Sequence, residues 1–322
     1  LSFFKNLYKR LPQGGFIKSR ISYLIIFLFS ILPLYKLLRK DKPDYIIAHL
    51  ITSLPMFLFK IFKFETKLIL RISGFPKLNL IRKFFWKLCS KNIYLITCPS
   101  IELKNQLKKL NIFENKKIVV LYDSVINIKE VNSQKNDFLH GEIKKSNYLL
   151  AIGRLTKQKN FDLLINAFYQ FNKINNNYKL LIIGEGEEKR KIISRINQLE
   201  LDHKIILLGF KQNVYKYLKN SKAFILSSLW EEMGFVIIEA ASCNTLIISS
   251  DCPNGPSEFL NHGKAGYLFN NNSVNDLVQS LIKFDREEKN IKYNKILLAK
   301  KNVKKFTIFS HYKELKKILD NK

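Results

Sequence analysis

Acidic side chains are scarce in this 322-residue chain: 26 Asp and Glu stand against 55 Lys and Arg, a formal net charge of +29. An imbalance of that size disfavours cationic partners and draws the protein to polyanionic ones. Cysteine is scarce as well. Cys89, Cys98, Cys243 and Cys252 form no C-x-x-C pair and no metal-finger spacing, so neither a disulfide framework nor a zinc site is expected, and a reducing cytoplasm fits best. The histidines, His49, His140, His203, His262 and His311, are scattered, with none at a metal-ligand interval from another. No metal or other cofactor is expected. Also missing is an apolar run of the roughly 20 residues that a bilayer-spanning helix requires. Residues 21–35, ISYLIIFLFSILPLY, come nearest, but the run is short and contains Pro33. They are read as a buried core helix, while the basic flanks Lys18, Arg20, Lys36, Arg39 and Lys40 would also suit a segment lying in a membrane interface. The opening LSFFKNLYKR carries no small-residue cleavage site, and no secretory signal is expected.

What is present is a globular composition, 47% hydrophobic and 25% charged, in a chain long enough for two domains. Short β-rich runs alternate with helical segments throughout, the pattern of parallel sheets covered by helices, so the fold class is α/β. Strands are predicted at 45–48, 67–72, 93–97 and 118–121, then at 148–152, 179–183, 205–208, 223–226, 245–249 and 267–269. The polar stretch 127–147, NIKEVNSQKNDFLHGEIKKSN, has no sustained apolar period and reads as a linker. This divides the chain into an N-terminal domain, 1–126, a linker, 127–147, and a C-terminal domain, 148–322, with a basic helical tail. The N-terminal domain opens on a helical segment and a QGG turn (Gln13, Gly14, Gly15), so a first strand is expected to be missing. It is also the more basic part: residues 1–126 hold 23 basic and 6 acidic side chains, and the remainder 32 and 20.

In open α/β sheets ligands bind beyond the carboxyl ends of the strands. After the strand at 148–152 comes GRLTKQKNF, where Gly153 frees the turn and Arg154 and Lys159 precede a helix starting near Asn160. Two cations beside a helix N-terminus suit a pyrophosphate, although in so basic a chain they also fit a solvated face. IIGEGEE (Gly184, Gly186) and LLGFK (Gly209, Phe210, Lys211) follow the next two strands; Gly184 marks a tight turn, and Phe210 offers a ring to a nucleobase. More specific is SSLWEEMGFVIIEAASC, with seven residues between Glu231 and Glu239. Gly234 is predicted to begin a helix, which puts Glu231 in the loop, the amides of Met233, Gly234 and Phe235 at the helix mouth, and Glu239 more than a turn inside. A carboxylate there can accept from both hydroxyls of a ribose. The alternative is that Glu231 and Glu232 are ordinary first-turn acids and Glu239 is a satisfied partial-core residue. Glu239 lies among Val236, Ile237, Ile238, Ala240 and Ala241, where an ionised carboxylate needs a partner. PNGPSE then adds a turn and Glu258.

The ordered series GR-x₄-K, GEG, LGF, E-x₇-E, PNGPSE and G-x-L-F resembles glycosyltransferase family 4 over residues 148 to about 270. The resemblance implies a GT-B fold, two Rossmann-like domains facing across a cleft, and retaining, metal-independent transfer from a UDP- or GDP-linked sugar to a glycan or lipid-linked acceptor in cell-surface polysaccharide or lipopolysaccharide synthesis. It implies that Arg154 and Lys159 hold the donor pyrophosphate and Glu239 the ribose. Glu231 and the amides near Gly234 and Phe235 would hold the transferred sugar, and Phe210 and Lys211 would border the base. The N-terminal half matches the family less well, with Ser73 in RISGFPK where the family pattern places histidine. His49 and Arg71, at predicted strand ends, are the acceptor-side candidates, and each could equally be structural.

A basic nucleic-acid-binding protein is the alternative from another class, but no helix-turn-helix, aromatic RNA-binding strand or zinc motif accompanies the charge, and no nucleic acid is expected as partner. A third reading is a catalytically impaired fragment that still binds nucleotide sugar. The basic N-terminal half further suggests a peripheral protein on an anionic membrane surface, at the inner face of the cytoplasmic membrane.

Overall fold

The computed structural model describes residues 16–76, 78–139, 143 and 146–320; the QGG turn and His140 lie outside them. The chain forms two compact units, one of residues 1–98 and 104–120, the other of residues 99–103 and 121–322.

Through the first unit run α1 (Phe16–Lys40), β1 (Tyr45–His49), α2 (Ser53–Ile61), β2 (Lys67–Arg71), α3 (Leu80–Cys89), β3 (Leu95–Cys98), α4 (Ile101–Lys109) and β4 (Ile118–Val120). The four strands are parallel and lie in the order β1-β2-β3-β4. Leu68, Ile69 and Leu70 of β2 and Leu95 and Ile96 of β3 are all buried, the near-continuous apolar run of a strand covered on both faces. Among the described strands β1 forms one edge of this sheet, and Ile47 is correspondingly half-exposed.

The buried core helix expected at 21–35 is corrected. Residues 24–40 of α1 are helical, but only Leu38 among them is fully buried, while Leu24, Leu28 and Leu32 stand more than half exposed. The helix packs through Phe27 on Phe57 and through Tyr35 on Phe62 and Phe64. Among the described residues no helix is long and apolar enough to cross a membrane.

The second unit holds α5 (Ile128–Gln134), β5 (Tyr148–Ile152), α6 (Phe161–Ile174), β6 (Lys179–Ile183), α7 (Lys189–Gln198), β7 (Ile205–Gly209), α8 (Tyr215–Asn220) and β8 (Ala223–Leu226). After these come α9 (Phe235–Ser242), β9 (Ile247–Ser250), α10 (Pro256–Phe259), β10 (Tyr267–Phe269), α11 (Val274–Arg286), α12 (Lys289–Val303) and α13 (Ile308–Asp320). Its six strands are parallel, in the order β10-β9-β8-β5-β6-β7. Alternation along each strand splits the core into two layers. Leu149 and Ala151 face Phe168 and Phe171 of α6 on one side of the sheet, and Tyr148 and Leu150 face Ile237 and Ile238 of α9 on the other.

The expected linker is corrected too. Residues 127–139 carry α5, and Val131 and Leu139 are buried in the same core layer as Tyr148. The second unit resumes at Leu121 rather than after residue 126. The C-terminal tail turns back onto this stretch: Val125 and Ile126 donate to the Phe306 carbonyl, and His311 Nδ1 lies 2.6 Å from the Tyr122 carbonyl.

At the carboxyl ends of β5, β6 and β7 three glycines stand side by side. The Gly184 amide donates to the Gly209 carbonyl at 3.0 Å, and the Gly153 amide to the Ile183 carbonyl at 3.0 Å. Gly184 has φ of 150°, and a Cβ there would sit 1.9 Å from the Gly153 carbonyl oxygen. Gly263, at φ 88°, has open space by comparison, its nearest neighbour being Leu268 Cδ1 at 4.0 Å. Gly184→Ala is therefore expected to cost about 3 kcal/mol, a drop of roughly 6–12 °C in Tm for a unit of this size. Gly263→Ala, with only its backbone penalty, should cost about 1–2 kcal/mol. Equal losses in calorimetry would contradict the close approach of the two loops.

Candidate active site

In the second sheet the chain runs outward from β5 through β6 to β7, then returns to the other side of β5 to lay down β8, β9 and β10. The loops after β5 and β8 therefore leave neighbouring strands at the point where the order reverses, and they diverge over opposite faces. That is where an open α/β sheet forms its ligand site.

The first of these loops runs from Gly153 to Asn160, tightens into a 3₁₀ turn at Lys157–Lys159, and hands over to α6 through Asn160 at φ 50°. The second runs from Ser227 to Gly234, whose φ of 71° turns the chain into α9 as the sequence predicts. Four hydrogen bonds join them or brace them. The Ser227 hydroxyl donates to the Lys159 carbonyl at 2.8 Å, and the Leu229 amide to the Gln158 carbonyl at 2.8 Å. Gln158 Nε2 donates to the Trp230 carbonyl at 2.8 Å, and the Ser250 hydroxyl of β9 to the Ser228 carbonyl at 2.7 Å. Beyond, the PNGPSE turn closes on the same loop. The Glu231 amide donates to the Pro253 carbonyl, and a Cβ at Gly255 would approach Met233 Cα to 2.5 Å.

These contacts deliver Lys159 and Glu231 to each other. Lys159 Nζ lies 2.5 Å from Glu231 Oε1, and the same oxygen accepts from the Ser228 hydroxyl at 2.5 Å. Both charged side chains are largely withdrawn from water, at 14% and 8% exposure. A pair so buried holds its geometry because separating it would leave a desolvated charge on either side. Arg154, at the start of the same loop, is exposed, and its guanidinium makes no hydrogen bond or ion pair among the described residues. Its cationic charge is uncompensated.

Glu239 sits on α9 between buried Ile238 and Ala240. It is half-buried, and its carboxylate has no hydrogen-bond or ion-pair partner among the described residues. Burial, reinforced by the charge of Glu130 from α5, pushes its pKa up to about 7. Tyr215, raised to about 12 chiefly by burial, also feels Glu239 and Glu130. Of the remaining expected residues, Met233 is buried, Phe235 is half-exposed at the helix mouth, and Phe210 stands 74% exposed beside Gly209 with Lys211 half-buried next to it. Gly184 holds the tight turn described above.

His49 and Arg71 belong to the first unit, where β1 and β2 put them in register at the carboxyl ends of adjacent strands. His49 Nε2 lies 2.5 Å from the Ser73 hydroxyl, and Arg71 is buried. Among the described residues no group of three or more His, Cys, Asp or Glu side chains is arranged to hold a metal ion.

Sequence reasoning missed three contributors. Ser228 orients Glu231, and its S-x-x-E spacing could have been read. Trp230, in the second loop, has a half-exposed side chain, and its carbonyl accepts from Gln158 of the first. Glu130 lies in the stretch read as a linker, where no sequence signal ties it to Glu239.

A family model described as glycosyl transferases group 1 matches residues 132–305. The chain belongs to that family. Among curated members, an uncharacterised glycosyltransferase of Methanocaldococcus jannaschii is 34% identical over 251 residues, 70% of this chain and 60% of that protein. The N-acetylgalactosamine-N,N'-diacetylbacillosaminyl-diphospho-undecaprenol 4-alpha-N-acetylgalactosaminyltransferase of Campylobacter jejuni is 27% identical over 69% of this chain and 61% of its own length. The chain thus spans about six-tenths of these relatives. Among solved structures, a glycosyltransferase from Rickettsia africae aligns with TM-score 0.77 at 17% identity, over 91% of this chain and 80% of that one. Anabaena HepE in complex with UDP and glucose aligns with TM-score 0.73 at 16% identity, over 92% and 82%. The group 1 chain described here shares with them the GT-B fold of two Rossmann-like units.

The raised pKa of Glu239 has a consequence for stability. Below about pH 4.5 the carboxyl is protonated in both folded and unfolded chains and carries no penalty; above about 7 the folded chain must hold a desolvated charge. Its contribution to stability therefore falls as pH rises between those values, by at most about 3 kcal/mol. Glu239→Gln is expected to gain on the wild type from pH 5 to pH 8 in urea unfolding without ligand. Parallel profiles would show that the carboxylate is well solvated.

Proposed function

We propose that the second unit binds a nucleoside-diphosphate sugar and that the protein is a retaining, metal-independent glycosyltransferase of family 4. The observation that carries this reading is Glu239, a half-buried carboxylate on an apolar helix, without a partner, in a sheet whose switch-point loops also present an uncompensated Arg154. Two ribose hydroxyls would give Glu239 the donors it lacks. Arg154 and Lys159, with the first-turn amides of α6, would receive the pyrophosphate, and Gly184 keeps the backbone behind it free of side chain. Phe210 and Lys211 would border the base. Glu231, held by Lys159 and Ser228, would accept from hydroxyls of the sugar beside the amides of Met233, Gly234 and Phe235.

In this account the bond from the anomeric carbon to the β-phosphate oxygen breaks as negative charge grows on the departing diphosphate. Fixed cations and amides stabilise that charge without reorganising. The acceptor oxygen bonds to the same face of the sugar, and its proton passes to the leaving phosphate. Because Lys159 is already paired with Glu231, Arg154 supplies most of the uncompensated positive charge. His49 and Arg71 are assigned to the acceptor. The acceptor is a glycan or a lipid-linked sugar in cell-surface polysaccharide or lipopolysaccharide synthesis, reached from the cytoplasmic side of the membrane. The Campylobacter relative, a transferase named for a diphospho-undecaprenol substrate, supports this class.

UDP- and GDP-sugars titrated against the full chain test the donor reading. One of them at about a hundredfold excess over its Kd should add roughly 2.7 kcal/mol of stability, a rise of about 5–10 °C in Tm. Glu239→Ala should abolish the rise. In the wild type, but not in Glu239→Gln, affinity should increase from pH 6 to pH 8 as the carboxylate ionises. Equal shifts in wild type and Glu239→Ala, or none with any nucleotide sugar, would defeat the proposal.

A further inference from the structure

Helix α3 turns an apolar edge outward. Leu80 is 86% exposed, Ile81 80%, Phe84 70% and Leu88 47%. At 100° per residue these four fall within one arc of the helix, and Lys83 and Lys87 lie along its border. The opposite side is anchored: Trp86 and Cys89 are fully buried, and the Asn79 side chain caps the helix by accepting from the Arg82 amide at 2.8 Å. The stripe is therefore displayed by a helix already docked and capped.

The right-handed connections of a sheet ordered β1-β2-β3 place α2 and α3 on the same face. α2 packs against both α1 and α3, and α1 adds exposed Leu24, Leu28 and Leu32. Charge around α3 has one sign. Between Glu65 and Glu102 the sequence holds seven basic residues and no acidic one.

From this juxtaposition we propose that α3, supported by α1, is a docking surface for an anionic lipid bilayer, with the apolar stripe entering the headgroup boundary and Lys83 and Lys87 meeting lipid phosphates. An apolar stripe edged by lysines is the composition that lies in such an interface. A second copy of the chain is the poorer match, because self-association through this face would bring two acid-free basic surfaces together. The inference stands apart from the donor site, and neither requires the other.

Co-sedimentation of the full chain with vesicles tests it. Binding is expected with mixed phosphatidylglycerol and phosphatidylcholine and should weaken with added salt. Phosphatidylcholine alone should bind at least about tenfold less. Lys83→Glu with Lys87→Glu, and separately Ile81→Asp with Phe84→Asp, should each reduce binding to the anionic vesicles by about tenfold or more. All four side chains are exposed, so circular dichroism should show an unchanged fold, and the nucleotide-sugar shift should be retained. Equal binding to neutral and anionic vesicles, or variants that bind as wild type does, would overturn the proposal. So would a concentration-dependent dimer in sedimentation velocity that Ile81→Asp with Phe84→Asp abolishes, since that would assign the face to a second copy.

Discussion

The buried contact between Lys159 and Glu231 is the constraint on which the arrangement of the second unit's site depends. Its two members come from loops that follow β5 and β8, strands far apart in sequence and adjacent in the sheet only because the chain reverses direction there. A doubly wound order brings the loops near each other; the ion pair, the Ser228 hydroxyl and the backbone bonds at Ser227, Leu229 and Gln158 then set their positions. The arrangement also divides the charge. Glu231 compensates Lys159, and the proposed donor site uses what is left over: Arg154 as the uncompensated cation for an anion, and Glu239 of α9 as the acceptor for hydroxyl donors.

Glycine and the two-layer core supply the rest. Gly153, Gly184 and Gly209 let three successive strand ends approach without side chains between them, and the alternating burial of β5 fixes which residues support each layer. The loops can therefore be irregular and polar while the platform beneath them is closely packed. The same division holds in the first unit at smaller scale, where a four-stranded sheet brings His49 and Arg71 into register and Ser73 meets the imidazole.

Much of this was legible in the sequence. The alternation of β-rich and helical runs announced parallel sheets, and all ten expected strands occur within two residues or so of the predicted bounds. The helix start at Gly234 was legible from the glycine ahead of an apolar helical run, and α9 does begin there, at Phe235. The half-burial of Glu239 without a partner was foreshadowed by its place between Ile238 and Ala240, where a carboxylate is costly. What could not be read was tertiary. The stretch 127–147 looks like a linker because its few apolar residues have no period, yet Val131 and Leu139 seat residues 127–139 in the core and carry Glu130 toward Glu239. Residues 21–35 looked like core because they are apolar, and hydrophobicity alone does not say which apolar helix finds a partner for each face. The direct meeting of Lys159 with Glu231 was likewise hidden, since 72 residues separate them.

The most direct measurement of the central claim is a crystal structure of the full chain with a bound nucleoside diphosphate, UDP and GDP each being tried. Density is expected with the ribose hydroxyls on the Glu239 carboxylate and the pyrophosphate against Arg154 and Lys159 at the mouth of α6. A diphosphate held elsewhere on the chain, or a ribose that leaves Glu239 without a partner, would contradict it.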